Sequence, residues 1–182
     1  MLKYSSQDLF RYAGKKGVSS FIKTFIKEPG YRYIFFYRNV RAYRKIPVIN
    51  VLAKLFLRRC SHRFGIQIPH ETNIGEGFYI GHFGTIIING QATIGRNCNL
   101  SAGVTIGQAN RGKSQGVPVL GDCVWIGVNA MIVGKITIGN DVLIAPGAYV
   151  NVDIPDHSIV MGNPAVIKPR ENATEAYIDN KV

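Results

Sequence analysis

Four histidines (His62, His70, His82 and His157) and three cysteines (Cys60, Cys98 and Cys123) are the side chains of this 182-residue sequence best suited to proton transfer, nucleophilic attack or metal ligation. Imidazole titrates near neutrality, so a positioned histidine can take a proton from a hydroxyl and hand it to a leaving group. Thiols bind metals or pair in disulfides at short, recurring spacings. The three cysteines lie far apart with no CxxC, so they read as reduced structural thiols. A zinc site of histidines needs three that converge, and only His70 and His82 share one half of the repeat region described next, so no metal is expected. Neither GxGxxG nor a P-loop is present. Residue type alone does not choose among the histidines; the elements that hold them must.

After Gly65 the sequence falls into a six-residue beat. Aliphatics stand at 68, 74, 80 and 86, then at 88, 94, 100 and 106 after a two-residue slip, and again at 120, 126, 132, 138, 144 and 150. Glycine follows the aliphatic at 75, 81, 95, 107, 121, 127 and 139. A smaller residue precedes it by two at Ala92, Cys98, Val104, Val124, Ala130, Val142 and Ala148. This period specifies a parallel β-helix in which three hexapeptides make one triangular coil and the aliphatics stack inside. The fold class is therefore mainly β, with residues 66–170 forming the coil. Residues 108–117 (QANRGKSQGV) interrupt the beat and must protrude, as a flexible arm suited to reaching a neighbouring surface. Residues 171–182 are a C-terminal tail. His70 and His157 are expected at turns of the coil.

Residues 1–65 follow a helical grammar. Ser5 or Ser6 could cap DLFRYAG, Pro29-Gly30 halts VSSFIKTFIKE, and GYRYIFFYRNVRAYRK and PVINVLAKLFLRRCSHRF continue, with His62 ending a basic helix. This segment carries 15 Lys and Arg against Asp8 and Glu28, whereas the remainder carries 7 against 9, so the overall charge of +11 belongs to the helices. Such a segment suits an anionic partner: a membrane surface, a nucleic acid or a diphosphate-linked substrate. No reading motif favours nucleic acid. The first twenty residues lack the apolar run of a signal peptide, and Ile46 to Leu57 is too short and interrupted to span a bilayer, so the expected location is the cytoplasm, with peripheral association at the inner membrane face.

The repeat region resembles the left-handed β-helix acyltransferases, and within them serine O-acetyltransferase and its relatives that acetylate sugars in polysaccharide biosynthesis. The resemblance rests on the IGEGFYIGH approach to His82, the VTIG turn before the GKS loop and the closing GNPA. It implies a homotrimer that uses acetyl-CoA, with His82 as general base. Fifteen residues before His82, the family's aspartate is replaced by Gln67, whose carbonyl can still accept the imidazole N–H. Backbone contacts to coenzyme A fall at positions matching Val128 and Pro146, and Lys113 and Lys168 are candidates for its phosphates. The family's arginine and second histidine match Gly116 and Val117, which argues against serine as acceptor.

Together these features lead to the expectation of an acetyl-CoA-dependent O-acetyltransferase acting on a sugar hydroxyl of capsule, exopolysaccharide or another surface glycan, the acceptor being a sugar or a lipid-linked glycan. The alternatives are a serine O-acetyltransferase of cysteine biosynthesis and a non-catalytic β-helix scaffold.

Overall fold

The computed structural model describes residues 2–182. Four helices come first: α1 (Leu2–Ala13), α2 (Val18–Lys27), α3 (Pro29–Ala42) and α4 (Pro47–Phe64). Pro29 both ends α2 and occupies the first turn of α3, where its missing N–H costs nothing. Gly65, at φ 66°, closes α4 in the left-handed conformation that suits glycine. Helix α1 is already formed at Leu2, so Ser5 and Ser6 lie inside it and cap nothing. Side-chain capping preference yields here to tertiary anchoring of Asp8 and Arg11, described below.

The coil follows as short strands: β1 (Ile66–Gln67), β2 (Asn73–Ile74), β3 (Tyr79–Ile80), β4 (Ile86–Ile88), β5 (Thr93–Ile94), β6 (Asn99–Leu100), β7 (Thr105–Gly107), β8 (Val119–Leu120), β9 (Val124–Ile126), β10 (Met131–Val133), β11 (Thr137–Ile138), β12 (Val142–Ile144), β13 (Tyr149–Val150), β14 (Ser158–Met161) and β15 (Val166–Pro169). They stack into three faces. The first sheet runs β1-β4-β7-β10-β13, the second β2-β5-β8-β11 and the third β3-β6-β9-β12-β14-β15. All pairings are parallel except β14 with β15, an antiparallel turn that closes the far end. This is the left-handed parallel β-helix that the six-residue beat and the family resemblance lead one to expect.

Every beat aliphatic from Ile68 to Val150 is buried. Cys98 is one of the small fillers, and burial pushes its thiol up to about 12, so it is inert. The glycines of the beat have a steric reason. A Cβ on Gly95 would stand 2.3 Å from the Gly121 carbonyl oxygen of the next rung.

The first rung would otherwise end in open backbone, and helices α1 and α3 fill that edge with side-chain hydrogen bonds. Tyr33 donates to Ile68 O at 2.8 Å and accepts from Ile68 N–H at 3.2 Å. Tyr12 does the same for Ile80, accepting from its N–H at 2.8 Å and donating to its carbonyl at 3.2 Å. Tyr37 and Arg41 donate to Thr72 O. Arg38 donates to Ile74 O at 2.7 Å and to Gly75 O. Its remaining edge meets Asp8 Oδ2 at 2.8 Å, and Asp8 in turn accepts from Phe78 N–H at 3.0 Å. Gly30 permits the close approach, since a Cβ there would lie 2.3 Å from Ile80 O.

Asp8 is fully buried. Desolvation raises its pKa, opposed by Arg38 and by the Phe78 and Gly77 amides. Removing one partner of such a pair strands a charge in a medium that solvates it poorly. Asp8→Asn is therefore expected to lower unfolding free energy by about 3–5 kcal/mol, read as a shift of the urea midpoint at unchanged slope.

Candidate active site

His82 occupies the bend between β3 and β4, on the edge where the third sheet turns into the first, with its side chain exposed. That edge is a ladder of backbone bonds. Gly103 N–H reaches Gly84 O at 3.4 Å, Asn129 N–H reaches Ala102 O at 3.0 Å, and Gly147 N–H reaches Val128 O at 2.9 Å. His82, Val128 and Pro146 thus share one edge, about 14 Å long at three interstrand steps of ~4.8 Å. Val128 and Pro146 are exposed there, and the Val128 N–H has no acceptor among the described residues, leaving a free donor on that edge.

The other expected residues lie elsewhere. Gln67 is exposed on β1, makes no hydrogen bond to His82 and is outside the cavity that His82 lines. Lys113 is on the 108–117 loop between β7 and β8, at the edge joining the first and second sheets. Lys168 is on β15, opposite Ile159 at the end of the third sheet. The loop is less free than its composition suggests. Ala109 and Gly116 exchange backbone hydrogen bonds at 3.0 Å, and Lys135 N–H holds Ser114 O at 2.9 Å.

Beside His82 a cavity of about 350 Å³ opens on the outer face of the third sheet, between α1 and the C-terminal tail. Arg11 and Tyr12 come from α1, Asn99, Ser101 and Trp125 from the sheet, and Tyr177, Asp179 and Asn180 from the tail. Arg11 is buried, donates to Gly77 O at 2.9 Å and to Asn99 Oδ1, and lies 5.7 Å from the Tyr79 ring centre. Burial lowers its pKa, but a guanidinium stays charged in a protein. Among the described residues it forms no ion pair. Asp179 lines the same cavity without reaching ion-pair distance. The site therefore holds an imidazole, an unpaired cation and a carboxylate around one space. Among the described residues no three His, Cys, Asp or Glu side chains converge as a metal site.

Sequence reasoning missed Arg11, Asn99, Trp125 and the tail. Arg11 was one of many cations in the helical segment, and no local spacing ties it to a histidine 71 positions away. The tail returns along the coil. Asp141 accepts from Ala173 N–H at 2.9 Å and Thr174 N–H at 3.0 Å, Tyr177 meets Trp125 at 5.0 Å, and Asn97 exchanges hydrogen bonds with Val182 at 2.8 Å.

Comparison with known proteins bears on the chemistry. Residues 118–151 match the bacterial transferase hexapeptide (six repeats) family. The chain is 36% identical over 115 residues to serine acetyltransferase 2 of Arabidopsis thaliana, covering 63% of this chain and 36% of that protein. It is 30% identical over 145 residues to the serine acetyltransferase of Bacillus pumilus, covering 80% of this chain and 66% of that protein. The crystal structure of Neisseria gonorrhoeae serine acetyltransferase in complex with serine superposes with a TM-score of 0.73 at 30% identity, covering 91% of this chain and 68% of that one. The chain thus spans about a third of the plant relative and about two thirds of the bacterial ones.

These relatives overturn the sugar-acceptor, surface-polysaccharide reading; they are serine acetyltransferases. The error came from Gly116 and Val117. It looked for a cation only at these two positions at the end of the 108–117 loop, whereas folding carries Arg11 of α1 into the cavity of His82.

Asp141 links the tail to the coil. Burial opposes its ionisation, but hydrogen bonds from the Thr174 hydroxyl, His157 and the Thr174 and Ala173 amides outweigh this and lower its pKa. The His157 pKa is raised by its bond to Asp141. The Asp141 contribution is thus present above its ordinary 3.8 and lost as pH falls through the lowered value. That of His157 is full below 6.5 and lost as pH rises through its raised value. Asp141→Ala should free the tail without unfolding the coil, giving faster tryptic cleavage after Arg170 and a shift in Trp125 emission at unchanged circular dichroism.

Proposed function

We propose that this chain, whose relatives in sequence and structure are serine acetyltransferases, transfers an acetyl group from acetyl-CoA to the hydroxyl of serine, as a homotrimer. The observation that carries this reading is the single cavity in which His82 meets the unpaired Arg11 and the carboxylate of Asp179. A free amino acid is a zwitterion with a hydroxyl to spare. Its carboxylate finds a planar cation in Arg11, its ammonium finds Asp179, and its hydroxyl is left toward His82. A buried guanidinium without a counter-ion is costly, and a carboxylate ligand removes that cost.

His82 takes the serine hydroxyl proton as the oxygen attacks the thioester carbonyl. The C–S bond then breaks, the imidazolium protonates the departing thiolate, and O-acetylserine and coenzyme A leave. The edge from His82 past Val128 to Pro146 is the proposed seat of the pantetheine arm. The free Val128 N–H is the donor toward it, while Pro146 offers only a carbonyl. Lys113 and Lys168 are assigned to the phosphates, Lys113 reaching them on a neighbouring subunit because its loop leaves a different edge. Nothing in this scheme uses Gln67, which is retained only as a candidate for orienting the imidazole.

Two measurements test the reading. His82→Ala should reduce thiol release from acetyl-CoA and serine by roughly 10²- to 10⁴-fold with circular dichroism unchanged. A protein with no thiol release to lose is the scaffold alternative. Arg11→Gln keeps a donor for Gly77 O but removes the charge. It should raise the serine KM roughly 10- to 100-fold, the worth of a charged hydrogen bond, while the acetyl-CoA KM holds. Serinamide, which lacks the carboxylate, should show no such penalty. Equal losses with both acceptors would reduce Arg11 to a structural role.

A further inference from the structure

Helix α4 has two faces with different fates. Asn50, Ala53, Leu57, Cys60 and Phe64 recur at three- and four-residue spacing and are buried. On the opposite side Val48, Val51, Leu52 and Leu55 face solvent, Val48 at 72% and Leu55 at 58% exposure, with Ile49 and Phe56 exposed at the margin. The same outer side continues toward the C-terminus as Arg58, Arg59, His62 and Arg63, all exposed. The exposed side of the helix is thus mainly apolar over its first three turns, with Lys54 among the aliphatics, and cationic over its last two. Helix α2 repeats the arrangement on a smaller scale, exposing Val18, Ile22 and Ile26 together with Lys23 and Lys27. The two helices flank α3, joined across it by Phe25, Phe36 and Phe56.

Contiguous exposed apolar side chains of this number mark a binding surface. Charge decides the occupant. Helices α2, α3 and α4 contain no Asp or Glu, and none of the cations on the outer face of α4 forms an ion pair among the described residues. A second copy laid on this face would bring like charges together. A nucleic acid would answer the arginines and leave six large apolar groups in water. An anionic lipid surface answers both, with phosphates at the cationic end and acyl chains at the apolar end. Among the described residues no helix is long and apolar enough to cross a membrane, so the helix would lie in the interface plane.

We propose that the outer face of α4, supported by α2, docks this protein on anionic membrane through in-plane insertion of Val48, Val51, Leu52 and Leu55 and contact of Arg58, Arg59 and Arg63 with lipid phosphates. The surface is independent of acetyl transfer, since none of these residues lines the His82 cavity.

The test is co-flotation of the full chain with phosphatidylcholine vesicles with and without phosphatidylserine. Binding is expected only with phosphatidylserine, weakening as salt is raised. Leu52→Glu and Leu55→Glu should each lower the partition coefficient roughly tenfold or more, with thiol release and sedimentation unchanged. Arg58→Glu with Arg59→Glu should lower it further and flatten the salt dependence. The proposal is overturned if the chain does not float with anionic vesicles, if both glutamate variants float like the parent, or if they alter the oligomeric state, which would assign the face to a neighbouring copy.

Discussion

A stack of parallel rungs must begin somewhere, and its first rung presents backbone donors and acceptors with no rung beneath them. In this chain that open edge is closed by phenol and guanidinium groups from α1 and α3: Tyr12 on Ile80, Tyr33 on Ile68, and Arg38 on Ile74 and Gly75. Each tyrosine acts as both donor and acceptor to one residue, as a neighbouring strand would. The arrangement also blocks edge-to-edge association, the usual hazard of an exposed strand. Because Asp8 neutralises Arg38 in the interior, the position of α1 is fixed with respect to the coil by a buried ion pair.

The cavity follows from this capping. Once Tyr12 and Asp8 hold α1 on the first rung, Arg11, on the same helix, has to reach the outer face of the third sheet, where it meets Gly77 and Asn99. The tail closes the opposite wall after running back along the coil from Asp141 to Asn97. The site is thus assembled from three distant stretches of chain, and its depth depends on helix, coil and tail together. The family resemblance places a histidine on the coil edge; the other walls belong to this chain's own folding.

The basic helical segment divides into two populations that composition cannot separate. Arg11 and Arg38 are buried and serve the cavity and the coil, and the exposed Arg41 also bonds to the coil, whereas Lys54, Arg58, Arg59 and Arg63 face outward next to exposed aliphatics. Net charge is therefore a poor guide to partners until the inward-facing cations are set aside. Of those that remain, Lys54, Arg58, Arg59 and Arg63 lie on the helix that carries the largest group of exposed aliphatics in the helical region.

The coil was legible in the sequence because its physics is local. A side chain every sixth residue either points inside or does not, so Ile68 through Val150, the small fillers such as Cys98 and the glycines such as Gly95 declare the fold by spacing alone. The helix limits at Pro29 and Gly65 were equally readable, since each is a local backbone preference. His82, Val128 and Pro146 were readable as candidates through the family resemblance, and the structure sets them along one edge of the coil. Arg11, Asn99, Asp179 and Trp125 were not. No period links a residue of α1 to the third sheet or brings the tail back to the second rung; a buried ion pair and a capped edge place α1, and hydrogen bonds to Asp141 and Asn97 place the tail. The cation that lines the cavity of His82 stands on a helix, where no spacing along the coil announces it.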